Sequence, residues 1–250
     1  MGWLRNWRRR RALRKHHMDA ALWRRATRGL RFVEDLSADE MKKLQDLVIV
    51  FLSEKELVGV HGLQIEDWMR VSIAAQACLP VLELGLDWYR GWTGIVLYPG
   101  DFRVRRSEQD EDGVVHEWQD ELAGEAMPGG PVVISWDAAR NDPAMNVVIH
   151  EFAHKLDMLG GVPNGVPPLH AGMDRGAWMR ALEDAYRGFC DAVERGRDTW
   201  LDPYAAEHPS EFFAVASEAF FQAAREMRRR YPDFYAQLAL FYRQDPAGRR

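Results

Sequence analysis

The five residues His150-Glu151-Phe152-Ala153-His154 constrain this chain more than any other stretch. An H-E-x-x-H pattern is expected by chance about 0.02 times in a chain of this composition. Its setting adds to that. Asn146-Val147-Val148-Ile149 leads in and Leu156, Met158 and Leu159 follow, so the motif sits inside an apolar helical pattern. Residues four apart lie on one helix face, so His150 and His154 can present both imidazoles to one metal ion. Glu151, one position on, is turned aside from ligation and within reach of a metal-bound water. Two histidines satisfied in a buried helix would not need that glutamate between them. Asp157, three residues past His154, is expected to accept the free N–H of a ligating histidine.

A catalytic zinc takes three protein ligands and leaves a position for water. The third ligand is sought in Asp202-Pro203-Tyr204-Ala205-Ala206-Glu207-His208-Pro209-Ser210-Glu211-Phe212-Phe213-Ala214-Val215-Ala216-Ser217-Glu218. Pro209 reads as a first-turn proline, which puts Glu211 in the opening turn of a buried helix. Glu218 shares its face seven residues on, and a buried carboxylate needs a cation or hydrogen bonds. His208 and His170 lie in proline-rich loops and are weaker candidates. Spacing alone leaves Glu211 and Glu218 level.

The rest of the chain supplies the frame. Ser37-Ala38-Asp39-Glu40 is a capping box that opens a helix running to about Leu52. A second helix is expected from Glu66 towards Leu84, interrupted near Pro80. Strands are expected at Gly94–Tyr98 and Pro131–Trp136, with hairpin character from Phe102 to Trp118 around an Asp112-Gly113 turn. The Pro131–Trp136 strand is expected to offer a free edge to an extended peptide. Helical patterns dominate beyond Asp142. The fold class is therefore α+β, mostly helical with a small mixed or antiparallel sheet, as one domain over residues 31–250.

Charge divides the chain unevenly. Residues 1–30 hold ten basic side chains and one acid, Asp19, whereas positions 31–250 carry a net charge of -14. Such a basic arm can meet nucleic acid, an anionic membrane surface or an acidic partner, with Trp3, Leu4 and Trp7 as a partial stripe. A solvated, poorly ordered terminus is the favoured expectation. The longest apolar run, Leu47-Val48-Ile49-Val50-Phe51-Leu52, is far short of the roughly 20 residues a bilayer requires. Cys78 and Cys190 form no Cys-x-x-Cys and read as reduced thiols. No export signal is visible, so a cytoplasmic setting is expected.

Four separated blocks resemble the Mlc titration factor A family of bacterial zinc peptidases: Ala74-Ala75-Gln76-Ala77-Cys78-Leu79-Pro80, Gly85-Leu86-Asp87-Trp88-Tyr89, His150-Glu151-Phe152-Ala153-His154-Lys155-Leu156-Asp157 and Glu211-Phe212-Phe213-Ala214. The resemblance spans about residues 30–245 and leaves the arm outside. It implies a zincin-like core similar to that of anthrax lethal factor, with one Zn²⁺ per chain. It implies Glu211 as third ligand beside His150 and His154, and Tyr204, seven residues earlier, as a catalytic hydrogen-bond donor with Glu151 as general base. The implied activity is hydrolysis of peptide or protein substrates; aminopeptidase-type action on short substrates and endopeptidase action both fit the residues. The family is named for binding a transcriptional repressor, which implies a repressor partner. Two other classes fit the same residues: a regulatory protein that sequesters the repressor with a secondary zinc site, and a zinc hydrolase of non-peptide amides.

Overall fold

The computed structural model describes residues 2–109, 115–141 and 145–249. The chain opens with helices α1 (Gly2–Lys15), α2 (Ala20–Ala26), α3 (Arg31–Glu34) and α4 (Ala38–Glu54). Strand β1 (Glu56–Gly59) and helix α5 (Asp67–Cys78) precede the strands β2 (Gly94–Tyr98), β3 (Phe102–Gln109), β4 (Val115–Leu122), β5 (Gly124–Ala126) and β6 (Val132–Ser135). Then come α6 (Trp136–Asn141), α7 (Val147–Asp157), α8 (Arg175–Glu194), α9 (Pro209–Gln222), α10 (Ala224–Arg230) and α11 (Pro232–Tyr242). The expected α+β class holds, mostly helical with a small mixed sheet. Among the described residues, no helix is long and apolar enough to cross a membrane.

Local chemistry explains the main boundaries. Ser37 accepts the Glu40 N–H while Glu40 accepts the Ser37 N–H, the reciprocal cap that starts α4. Helix α5 stops at Cys78, two residues before Pro80, whose ring cannot continue the helix. Proline at the first position and an N-cap set the start of α9.

The main sheet runs β1-β2-β6-β5, with β1, β2 and β6 parallel and β5 antiparallel to β6. All four residues of β6 are buried, as an interior strand covered on both faces requires. This corrects the expectation that the segment after Pro131 offers a free edge: β6 pairs on both sides, and the edge strands are β1 and the short strand β5. β3 and β4 form a separate antiparallel ribbon. The expected Asp112-Gly113 turn lies outside the described residues.

Within residues 2–30, part of the basic segment is docked on the body rather than solvated throughout as its charge suggested. Arg9 Nε and Nη1 donate to Glu54 and Asp87 at 2.6 and 2.7 Å, and Arg5 donates to Asp87 at 2.6 Å. Trp23 and Ala26 of α2 are buried in the same core as α4, α5, α7 and α9. Opposite charge at Glu54 and Asp87, far away in sequence, turns part of a repulsive cluster into a docked helix.

Candidate metal centre and cleft

Helix α7 is where the chemistry converges. Asn146 caps it by accepting the Ile149 N–H at 2.9 Å, and every residue from Val147 to Asp157 is buried. The helical period puts His150 Nε2 and His154 Nε2 3.1 Å apart. Helix α9 crosses beside them, and Glu211 Oε2 lies 3.1 Å from His150 Nε2 and 3.2 Å from His154 Nε2. The three atoms form a nearly equilateral triangle. A tetrahedral ion with bonds of about 2.0–2.1 Å separates its ligand atoms by roughly 3.3 Å, so the triangle fits one.

The surrounding hydrogen bonds support that fit. Glu218 Oε1 sits 2.7 Å from His150 Nδ1, and Glu218 Oε2 accepts the Asn146 N–H at 2.5 Å. A carboxylate accepting the Nδ1–H leaves the His150 Nε2 lone pair aimed at an anionic oxygen and a second imidazole nitrogen. A cation at their common focus removes that repulsion. Burial by itself lowers the affinity of His150 for a proton, but the Glu211 and Glu218 carboxylates outweigh it and push its pKa well up. Burial also pushes Glu211 up, and here hydrogen bonds from the two histidines prevail and hold it below the usual carboxylate range. These opposing pulls mark a pocket built around positive charge.

Glu151 is 4% exposed, and its burial raises its pKa against the pull of His150 and His154. Tyr204 lies in a 3-10 turn, Pro203–Ala206, that Asp202 caps by accepting the Tyr204 N–H at 2.9 Å. Its ring centroid is 6.3 Å from that of His150. Burial and the neighbouring Glu211 and Glu207 carboxylates push the phenol's pKa upward, so it remains a proton donor at neutral pH. A cleft of about 460 Å³ opens onto these groups, bordered by Gly124, Glu151, His150, Tyr204, Glu218 and Gln222.

Other candidates lie elsewhere. His170 Nε2 is 2.8 Å from the Phe241 carbonyl oxygen, and His208 caps α9 through the Ser210 N–H. Asp157 does not meet His154 in a hydrogen bond, which corrects its expected role. It instead accepts the Gly165 N–H at 2.7 Å, while Trp178 Nε1 donates to the Gly165 carbonyl at 3.0 Å. Gly165 has φ +77°, and a Cβ there would stand 2.7 Å from the Pro209 carbonyl oxygen. Asp157 and Trp178 thus hold a loop against the start of α9, two residues before Glu211. This link runs through backbone amides and leaves no trace in side-chain spacing.

Two further residues escaped the sequence reading. A Cβ on Gly124 would stand 2.5 Å from Glu151 Oε1 and 2.7 Å from Val147 Cγ2, so edge strand β5 approaches α7 as only glycine permits. Gly124→Ala should therefore push the strand or the Glu151 carboxylate aside. We expect turnover to fall about 100-fold, the effect of a misplacement near 1 Å, with metal content retained. Wild-type turnover by this variant, measured with metal analysis, would show that the contact carries no function. Lys155 is 3% exposed, and its Nζ donates to the Met127 and Gly130 carbonyls at 2.6 and 2.7 Å. It ties α7 to the turn between β5 and β6. A lysine beside the apolar Phe152, Ala153 and Leu156, on a helix already rich in apolar residues, was the available signal for it.

Comparison with known proteins follows the same lines. A family model described as glucose-regulated metallo-peptidase M90 matches residues 4–243. Mlc titration factor A of Yersinia enterocolitica serotype O:8 is 37% identical over 235 residues, covering 92% of this chain and 87% of that protein. Proteins of the same name from Yersinia pestis strain Pestoides F and Yersinia pseudotuberculosis serotype O:1b are 35% identical over 235 residues, covering 92% of this chain and 86% of each. The family match takes in most of the basic N-terminal segment, which the resemblance read from the sequence had left outside.

Proposed function

The chain belongs to the glucose-regulated metallo-peptidase M90 family, and on that premise we propose that it is a zinc-dependent peptidase of aminopeptidase type on short substrates. The observation that carries this reading is the triangle of His150 Nε2, His154 Nε2 and Glu211 Oε2, with sides of 3.1–3.2 Å, beside a buried glutamate at an open cleft. His150, His154 and Glu211 would hold one ion per chain. Two imidazoles and a carboxylate are a donor set that suits zinc. Bound there, zinc supplies Lewis acidity and brings the pKa of water towards about 7.

The chain's own groups do the rest. Glu151 accepts the proton of the attacking water and passes it to the leaving amine. Its desolvated setting favours a carboxylate that takes up and returns a proton readily. Tyr204 donates its phenolic hydrogen to the oxygen on which charge develops. An extended substrate pairs with the outer edge of β5, and Gly124 sets how closely that backbone approaches Glu151. Lys155, by holding both ends of the β5–β6 turn, keeps the strand at that height.

The test is release of chromophore from amino-acid and short-peptide anilides, with zinc content measured on the same preparation. Activity that a chelator abolishes and zinc restores is the expected result. A fully zinc-loaded protein inert on all peptide anilides, yet active on a non-peptide amide, would replace the substrate class. Tyr204→Phe should lower turnover about 10–100-fold at constant zinc content, since one hydrogen-bond donor to the transition state is lost. An unchanged rate would return Tyr204 to a packing role.

A second role rests on the relatives' name, which says that those proteins titrate Mlc. By that likeness this chain has a regulator, a transcriptional repressor, as a binding partner. Such binding needs no proton transfer, so it should survive Glu151→Gln while hydrolysis does not. We place the protein in the cytoplasm, where its free Cys78 and Cys190 suit reducing conditions.

A further inference from the structure

Docking α1 on the body separates its side chains into two sets. Arg5 and Arg9 turn inward onto Asp87 and Glu54, and Leu13 packs against the core. The opposite face is then left to solvent. Trp3, Leu4 and Trp7 are 76%, 57% and 44% exposed, although they are among the largest apolar side chains available to a core. At 100° per residue, Trp7 lies at the centre of that face, with Trp3 and Leu4 on its two sides. Around them stand Arg8, Arg10, Arg11, Arg14 and Lys15, all exposed. The Arg11 guanidinium lies 5.5 Å from the Trp7 ring centroid. α1 itself contains no acidic residue. Asp19, the one acid of residues 1–30, spends its carboxylate capping α2 through the Leu22 N–H.

We propose that this outer face of α1 is a docking surface for an anionic lipid bilayer, on which the helix lies flat. The helix is about 21 Å long, too short and too charged to cross. An indole–leucine–indole centre ringed by arginine and lysine matches the interface of such a membrane. The rings settle at headgroup depth while the cations meet lipid phosphates. The charge complementarity decides the sign of the surface, and the exposed apolar centre decides that it is lipid. Leu4 has no partner on a nucleic acid, and single strands are held in basic grooves, whereas this helix stands out on the surface. The ion pairs of Arg5 and Arg9 orient the face and keep the Trp–Leu–Trp centre from being buried.

The experiment is sedimentation of the full chain with phosphatidylcholine vesicles, with and without phosphatidylglycerol, at low and high salt. Binding only to the phosphatidylglycerol vesicles, released by salt, is the expected result. R8Q/R11Q/R14Q should weaken partition roughly 100-fold, from about fivefold per cation. W3S/W7S should weaken it by about tenfold or more, through loss of the inserted rings. Removal of the same charge from α8, in R175Q/R180Q/R187Q, should leave partition near the parent value. No preference for anionic vesicles, or equal losses from the α1 and α8 triple variants, would overturn the assignment. So would retention on polyuridylate with none on vesicles, which would transfer the face to nucleic acid.

Discussion

Replacing Glu151 with glutamine is expected to leave zinc in place and lower turnover by about 10³–10⁴-fold. Glutamine keeps the shape of the side chain but removes the base, and positioned acid–base groups contribute on the order of 10²–10⁴. The upper part of that range is expected because, in the proposed mechanism, one carboxylate serves two transfers, from the water and to the leaving group. The site is tight enough to interpret the result. Glu151 is buried, and Gly124 leaves no room for the amide to swing towards β5 without a clash. Metal analysis beside anilide hydrolysis separates the two effects. Near-normal turnover with full zinc would remove Glu151 from the chemistry, and lost zinc would make it part of the metal site.

Glu211→Gln and Glu218→Gln are expected to fail in different ways. Glu211 Oε2 is one corner of the triangle, so in the proposed site its replacement removes an anionic ligand and should abolish both tight zinc binding and hydrolysis. Glu218 touches only the far side of His150 and the Asn146 N–H. Both of its oxygens accept, and glutamine has one acceptor for two donors. Either the His150 Nδ1–H or the Asn146 N–H then faces an amide N–H₂. Zinc affinity should fall about 10–100-fold, the usual cost of disturbing a partner that orients a ligand. Competition against a chelator, with thermal melting to show that both variants fold, measures the difference. Tight binding by the Glu211 variant and loss in the Glu218 variant would exchange their roles.

Some of this was legible in order of residues because its cause is local. Four-residue spacing on a helix sets the relation of His150 to His154. Backbone caps near Ser37 and Pro209 set where α4 and α9 begin. The β-branched runs of β2 and β6 have no competing helical period. The short strands β1 (Glu56–Gly59) and β5 (Gly124–Ala126) escaped notice because they lack the β-branched run that marks the equally short β6. They are strands because a neighbour supplies the hydrogen bonds.

The sequence by itself determined an α+β chain with two histidines and a glutamate on one buried helix; its spacing narrowed the third ligand to two glutamates seven residues apart, of which family resemblance favoured Glu211. Only the tertiary structure decided between their positions. Rotation of α9 against α7 aims Glu211 at Nε2 of both histidines and Glu218 at Nδ1 of one. Both glutamates share a helix face, so spacing along α9 could not separate them; the crossing with α7 does. The same reason governs Asp157, Gly124 and the basic segment at residues 1–30. Each took its place from a partner distant in sequence: the Gly165 loop, the Glu151 side chain, and Glu54 with Asp87. Contacts of that kind arise from packing in three dimensions, and no spacing along the chain encodes them.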